Sequence, residues 1–145
     1  SVTSHDAEGS VVAETMNRAL RQARLDPGDI YAVKAHATGT ESNDNTEAAA
    51  MMVVFGNELP PVTCVKPFIG HTAGACGVVE QILFTESVKA GFIPSTPGFR
   101  EVDEQLNLTP VKENINAEEG NFMLNYFGFG GNCTTLILSN KASMG

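Results

Sequence analysis

The chain has 145 residues, of which 42% are hydrophobic and 18% charged, and its formal net charge is −8. These values are ordinary for a single globular domain, which at this size buries roughly 70% of its unfolded surface. The acidic balance excludes an extended nucleic-acid surface, because phosphate binding needs clustered lysine and arginine. No run approaches the roughly 18 apolar residues of a membrane span, and residues 1–6 lack the features of a secretory signal. No nucleic-acid or membrane partner is therefore expected.

The first predicted elements are a helix from about Glu8 to Arg24, a turn at residues 26–29 and a strand from Ile30 to His36. Asp44-Asn45-Thr46-Glu47 has the spacing of a capping box, with aspartate in place of the usual Ser or Thr. This spacing predicts a helix that opens there, runs through Phe55 and stops at Gly56.

Further along the chain, Val62 to Val65 is predicted to form a second strand. The glycine-rich residues 74–77 lead into a helix through about Ala90, with an apolar stripe of Val79, Ile82 and Leu83. The stretch from Pro94 to Glu119 is rich in proline, asparagine and acidic residues, which indicates a surface connection with one short strand near Leu108.

Two strands, Phe122 to Phe129 and Cys133 to Leu138, end the predicted elements and are joined by a tight turn at residues 130–132. Alternating helices and strands with a final hairpin predict an α/β layered domain. We expect the four main strands to share a sheet, with the helix after Gly74 buried in the middle of the intact molecule.

The three cysteines, Cys64, Cys76 and Cys133, show neither a disulfide framework nor a zinc pattern. A reducing, cytoplasmic setting fits this usage best, and no metal site is expected. Each cysteine has apolar or small neighbours, so an inert buried thiol is the first interpretation of all three.

Two histidines lie in glycine-containing segments that each read as a strand, a turn and a helix. His36 lies in Val-Lys-Ala-His-Ala-Thr-Gly-Thr, and His71 ends Lys-Pro-Phe-Ile-Gly-His. One histidine at a strand end is more often structural than catalytic. Two of them, with Lys66 five residues before the second and a Gly-Phe-Gly-Gly turn downstream, favour a catalytic site.

Three motifs in register carry a resemblance to a known family. They are His36-Ala37-Thr38-Gly39-Thr40 with Asp44 and Glu47, Lys66 to His71 with Gly74, Gly77 and Glu80, and Phe127-Gly128-Phe129-Gly130-Gly131. Over nearly its whole length the chain resembles the C-terminal half of β-ketoacyl synthases, the condensing enzymes of fatty-acid and polyketide synthesis. The resemblance implies their layered thiolase-like fold, with a mixed sheet and a buried central helix.

The resemblance also implies a reaction, the decarboxylative Claisen condensation of an acyl thioester with a malonyl thioester. Its substrates would be carried on the phosphopantetheine of an acyl carrier protein, with no other cofactor. By this resemblance His36 and His71 bind the malonyl thioester carbonyl and Lys66 completes the catalytic set. Independently of the family, donors aimed at an enolate oxygen should be the main catalytic factor, because negative charge develops there.

The resemblance assigns supporting roles as well. Phe129 gates the acyl pocket, and its amide, next to Gly130, contributes to the oxyanion hole. Thr38 and Thr40 hydrogen-bond the pantetheine arm. The supporting network comprises Asp44, Glu47 and Glu80. A Lys66–Glu80 pair is expected whatever its role, since a buried lysine without a partner loses its charge; a purely structural ion pair stays open.

Two departures from the family pattern are Ala37, where the family has glycine, and Asn132-Cys133, where it has Thr-Asn. The family's nucleophilic cysteine lies in its N-terminal half, and no segment here has that character; Cys76 matches a small packing residue. Residues 1–145 are therefore interpreted as a C-terminal domain, inactive alone. Its expected partners are the N-terminal ketosynthase half, an acyl carrier protein and a second subunit in a homodimer or heterodimer.

A non-catalytic partner of the chain-length-factor type is the alternative function. Such a protein would shape a heterodimer and its acyl tunnel without carrying out the condensation. Retention of both histidines and of the lysine favours the enzyme, because a structural partner does not need the full set.

Overall fold

Helices alternate with short strands along the chain, which the computed structural model describes at residues 9–99, 106, 108–128 and 132–142. The helices are α1 (Ser10–Ala23), α2 (Glu41–Phe55), α3 (Lys66–Ile69) and α4 (Cys76–Lys89), with single 3-10 turns at Pro27–Asp29 and Ala73–Ala75. The strands are β1 (Ile30–Lys34), β2 (Val62–Thr63), β3 (Phe92–Ile93), β4 (Ile115–Asn116), β5 (Asn121–Gly128) and β6 (Asn132–Ser139).

A four-stranded mixed sheet in the order β2-β1-β5-β6 forms the centre of the fold. Strand β1 is parallel to both of its neighbours, and Val33 is paired with Val62 on one side and Met123 on the other. Strands β5 and β6 are antiparallel, as their short connection requires. The predicted sharing of one sheet by these four segments is confirmed.

Helices cover both faces of this sheet. On one face, α1 and α2 bury Met16 and Met51 against Val33 and Met123. On the other face, α4 buries Phe84 and Val88 against Ala32, Phe122 and Leu124. Alternate residues of β5 thus enter opposite cores, because successive side chains of a strand point to opposite faces. The result is the predicted layered α/β arrangement.

Helix α2 begins earlier than predicted, and the predicted capping box is wrong. Thr40 occupies the position before its first residue, and Asp44 lies in the first turn of the helix. The side chain of Glu47 accepts hydrogen bonds from the amides of His36 and Ala37 instead of an amide of its own helix. The acidic residue that suggested a helix start therefore serves the neighbouring strand end.

The connection between α4 and β5 also differs from the prediction. No strand forms at residues 108–110, and a short antiparallel pair joins Phe92–Ile93 to Ile115–Asn116. Such two-residue strands lack the alternating pattern that would show them in a sequence.

One side of helix α4 is buried, and it carries Glu80, Phe84 and Val88 at intervals of four residues. The apolar stripe of Val79, Ile82 and Leu83 lies on another side of the helix, where Ile82 is 56% exposed and Leu83 37% exposed in this chain. Burial of this second side stays a prediction for the intact molecule. No helix in the described ranges has the length and apolar character to cross a membrane.

We predict that Gly120→Ala destabilises the fold by about 1–3 kcal/mol, as overpacking does. A Cβ at residue 120 would lie 2.7 Å from Cβ of Tyr31, whose hydroxyl is held by the carbonyl of Asn116. Gly28→Ala is the control, because its Cβ would meet nothing within 4 Å. Denaturant midpoints of the full-length variants measure the difference, and equal midpoints would contradict the prediction.

Candidate active site

His36 lies just beyond the end of β1 and is 2% exposed. The Glu47 carboxylate accepts hydrogen bonds of 2.9 Å from the amides of both His36 and Ala37. Ala37 has a φ of 39°, a left-handed conformation that favours glycine. The departure from the family glycine thus falls at a left-handed residue, and Glu47 accepts hydrogen bonds from both amides of that turn.

Lys66 is the first residue of α3, and its Nζ contacts two atoms of His36. Its Nζ lies 3.2 Å from Nδ1 of His36 and donates to the His36 carbonyl, while it forms an ion pair of 2.7 Å with Oε1 of Glu80. An ammonium has three N–H groups and no acceptor, so Nδ1 of His36 must accept. The proton of the neutral His36 imidazole is therefore on Nε2.

His71 approaches His36 from the loop after α3. The two ring centroids are 6.0 Å apart with the rings almost perpendicular, so the predicted proximity of the imidazoles is met. The amide of Ala73 donates to Nδ1 of His71 at 3.2 Å. In neutral His71, Nε2 consequently carries the proton as well.

Glu80 is fully buried on α4, and two lysines bind its carboxylate. The expected Lys66–Glu80 pair is present, and Lys34 Nζ lies 2.6 Å from the second oxygen, Oε2. Sequence reasoning missed Lys34, although the signal was there. A lysine inside the apolar strand β1 must be buried, and a buried ammonium needs a carboxylate partner.

Asn125 of β5 connects this ion-pair cluster to Glu47. Its main-chain carbonyl accepts a hydrogen bond from Lys34 at 2.9 Å, and its side-chain Nδ2 donates to Glu47 Oε1 at 3.2 Å. The hydroxyl of Thr135 on β6 holds the side-chain oxygen of Asn125 at 2.9 Å. Asn125 was not identified from the sequence, because its neighbours in the strand show no motif.

Burial shifts the pKa values of two charged groups here in opposite directions. Loss of hydration lowers the pKa of Lys34, and the nearby Glu80 carboxylate opposes this shift. Loss of hydration raises the pKa of Glu47, and the amides of Ala37 and His36 oppose it. All contacts to the Glu47 oxygens described above come from N–H donors, as an ionised carboxylate requires.

The remaining predicted residues are not hydrogen-bonded to this cluster in the described part of the chain, or lie outside that part. The Thr38 and Thr40 hydroxyls, 2.9 Å apart, are accessible on the loop between β1 and α2. Asp44 accepts a hydrogen bond from Asn43 and lines a cavity of about 240 Å³, and no hydrogen bond among the described residues joins it to His36 or Lys66. Phe129 and Gly130 lie outside the described residues.

The thiols have distinct surroundings. Burial raises the pKa of Cys64, and its thiol donates to the carbonyl of Ala37 at 3.5 Å. Cys76 is half-buried at the first position of α4. In the described part of the chain, no three His, Cys, Asp or Glu side chains are grouped to hold a metal ion.

We predict that Glu80→Gln destabilises the full-length protein by about 3–5 kcal/mol, because it leaves two buried ammonium groups uncompensated. Glu86→Gln is the matched control on the same helix. It breaks an exposed ion pair with Lys89 of similar length, 2.7 Å, and should cost about 0–1 kcal/mol. Thermal unfolding of both variants tests this, and a similar small shift for both would contradict it.

The comparisons with known proteins show the family to which the chain belongs. Residues 1–100 match the family model described as "Beta-ketoacyl synthase, C-terminal domain". A 3-oxoacyl-[acyl-carrier-protein] synthase 2 of Mycobacterium bovis is 36% identical over 129 residues, which are 87% of this chain and 30% of that protein. An actinorhodin polyketide putative beta-ketoacyl synthase 1 of Streptomyces coelicolor is 31% identical over 99% of this chain and 32% of its own length.

Among solved structures, the ishigamide ketosynthase/chain length factor superposes with a TM-score of 0.90 at 32% identity. The superposition covers 97% of this chain and 35% of that one. The chain thus spans about a third of the length of the proteins that it matches. With a family model that matches more than two thirds of its residues, the chain belongs to the β-ketoacyl synthase family and lies in the C-terminal half of its thiolase-like fold.

Proposed function

We propose that the chain belongs to a β-ketoacyl synthase that condenses an acyl thioester with a malonyl thioester. In this proposal, the chain supplies the residues that bind the malonyl thioester and promote its decarboxylation. The observation that carries this proposal is the pair of imidazoles 6.0 Å apart, each accepting at Nδ1 and therefore protonated at Nε2. Two donors of the same kind at this separation suit one oxygen that gains negative charge during a reaction.

The chemistry follows from the position of these donors. The malonyl thioester carbonyl accepts hydrogen bonds from Nε2 of His36 and Nε2 of His71. When the carboxylate leaves as CO₂, the electron pair of the broken C–C bond forms an enolate, and the two N–H groups stabilise its oxygen. The enolate carbon then attacks the acyl thioester carbon, and the thiolate that held the acyl group leaves.

Lys66 and Glu80 act on this reaction through His36. The ammonium of Lys66 fixes the imidazole by its contacts to Nδ1 and to the carbonyl. Glu80 balances the charge of that ammonium. An imidazole held in this way needs little reorganisation when the enolate forms, and preorganised donors of this kind are effective in sites that exclude water.

The thiolate that carries the acyl group comes from a part of the synthase outside these residues, in this proposal. Cys64 is unsuited, because its buried thiol has a raised pKa and already donates to a carbonyl. We assign Phe129 and Gly130 to the gate and oxyanion hole by family resemblance alone. The family nucleophile and these two residues would carry out the transfer of the acyl group to the enzyme.

The proposed partner is an acyl carrier protein, whose phosphopantetheine arm would present the malonyl group. The accessible hydroxyls of Thr38 and Thr40 lie two to four residues after His36, which suits contact with such an arm. The name of the mycobacterial relative specifies acyl-carrier-protein substrates. The intact protein would contain the N-terminal ketosynthase half and form a homodimer or a heterodimer.

A chain-length-factor role is the second candidate, since one structurally similar protein is described as a ketosynthase/chain length factor. The complete set of His36, His71, Lys66 and Glu80 in one contact network favours the enzyme. Detection of an acylated cysteine in the intact protein would decide between the two roles.

We predict that His36→Ala or His71→Ala lowers malonyl decarboxylation by the full-length enzyme about 10²–10³-fold, the usual effect of one lost oxyanion donor. Acyl transfer to the nucleophilic cysteine should fall less, because the imidazoles act on the enolate. Release of CO₂ and mass of the acylated enzyme are measured separately, with the exposed Lys89→Ala as control. Equal losses in both half-reactions would contradict the proposed division.

A further inference from the structure

We propose that Lys34 is a positioning residue for His36. It holds one oxygen of Glu80, so that Lys66 forms an ion pair with the other oxygen and directs its N–H groups to His36. Lys34 thus sets the protonation and orientation of an imidazole that it does not need to touch. The consequence for catalysis rests on the proposed function, whereas the state of His36 can be measured without turnover.

The first step of the argument is the division of the Glu80 carboxylate. Lys34 lies 2.6 Å from Oε2 and Lys66 lies 2.7 Å from Oε1. Neither lysine can approach both oxygens while the other is present, since two ammonium groups repel each other. The contact of Lys66 with Oε1 is an ion pair without hydrogen-bond geometry, and the N–H groups of its ammonium are directed to the Nδ1 and carbonyl of His36.

The second step is the rigidity of Lys34 itself. It has no solvent-exposed surface, and its Nζ donates to the Asn125 carbonyl at 2.9 Å and lies 3.9 Å from the centre of the Tyr126 ring. The side chain of Asn125 is in turn held by Glu47 and Thr135. An ammonium enclosed in this way cannot move aside to give Lys66 the second oxygen.

The third step is the charge balance around His36, counted over the residues that the structure describes. The charged groups are Lys34 from β1, Glu47 from α2, Lys66 from α3 and Glu80 from α4. The titratable groups beside them are His71, the Cys64 thiol on the Ala37 carbonyl and the Tyr126 ring against Lys34. Two positive charges balance two negative ones. Removal of Lys34 leaves one negative charge in excess, which favours a second proton on His36.

A doubly protonated His36 would disturb the site. Its Nδ1 would become a donor and could no longer accept from Lys66, and the two positive groups would repel each other. Lys34 therefore keeps His36 neutral, with its proton on Nε2, at the pH at which the enzyme works.

Nitrogen-15 NMR of histidine-labelled full-length protein tests this proposal, with His36 assigned by its loss in His36→Gln. We expect the wild-type His36 to be neutral and protonated at Nε2 at pH 7. In Lys34→Met, the pH at which His36 takes up its second proton should rise by about one unit. The acid limb of the decarboxylation profile should move equally, through kcat with little change in KM.

Lys89→Met is the matched control, because it removes a lysine from an exposed ion pair on α4; it should change neither quantity. Lys34→Gln, which retains a donor for the Asn125 carbonyl, replaces the methionine variant if that one does not fold. A wild-type His36 protonated at Nδ1 would overturn the proposal by itself. Folded Lys34 variants with an unchanged His36 titration would overturn it as well.

The two proposals fail separately. If His36→Ala retained decarboxylation while Lys34→Met shifted the His36 titration, the proposed function would be wrong and the positioning by Lys34 correct. If His36→Ala abolished decarboxylation and Lys34→Met left the titration unchanged, the positioning proposal alone would be wrong.

Discussion

Two buried ammonium groups share the carboxylate of Glu80, and the site is organised around this contact. Lys34 comes from the sheet, Lys66 from the start of α3 and Glu80 from the middle of α4. Each ion would be costly to bury without the others, because removal from water destabilises a charged group by several kcal/mol. The three-way contact thus joins elements that are 46 and 14 residues apart in the chain, and it holds the strand end that carries His36.

Glu47 fixes the backbone at His36, and Lys66 fixes the imidazole. Its carboxylate holds the amides of His36 and Ala37, and through Asn125 it is connected to the same buried cluster. Glu47 thus holds the main-chain amides at this turn, whereas Glu80 acts through Lys66 on the imidazole and on the main-chain carbonyl of His36. This double support offsets the cost of the left-handed turn at Ala37, which an alanine side chain makes less favourable than glycine would.

The sheet, the layer order and the proximity of the two histidines follow from features visible in the sequence. Apolar strands bounded by turn residues gave the four sheet segments, and the motifs around His36 and His71 pointed to a common site. The start of α2 was misplaced because Asp44 and Glu47 imitate a helix cap, whereas Glu47 binds the end of a strand. Asn125 and the short strands β3 and β4 could not be found, because their partners lie far away in sequence. Lys34 could have been found, since a lysine among Ala32, Val33 and Ala35 requires a buried counter-ion.

The asymmetry of the Glu80 contact has an evolutionary consequence. A lineage that loses Lys34 still has Glu80 paired with Lys66, so the intermediate contains no isolated charge. A lineage that loses Glu80 first must pass through a protein with two lysines facing each other in an apolar interior. Divergent members of such a family should therefore change the strand residue before the helix residue, because that order costs less folding stability at the intermediate step.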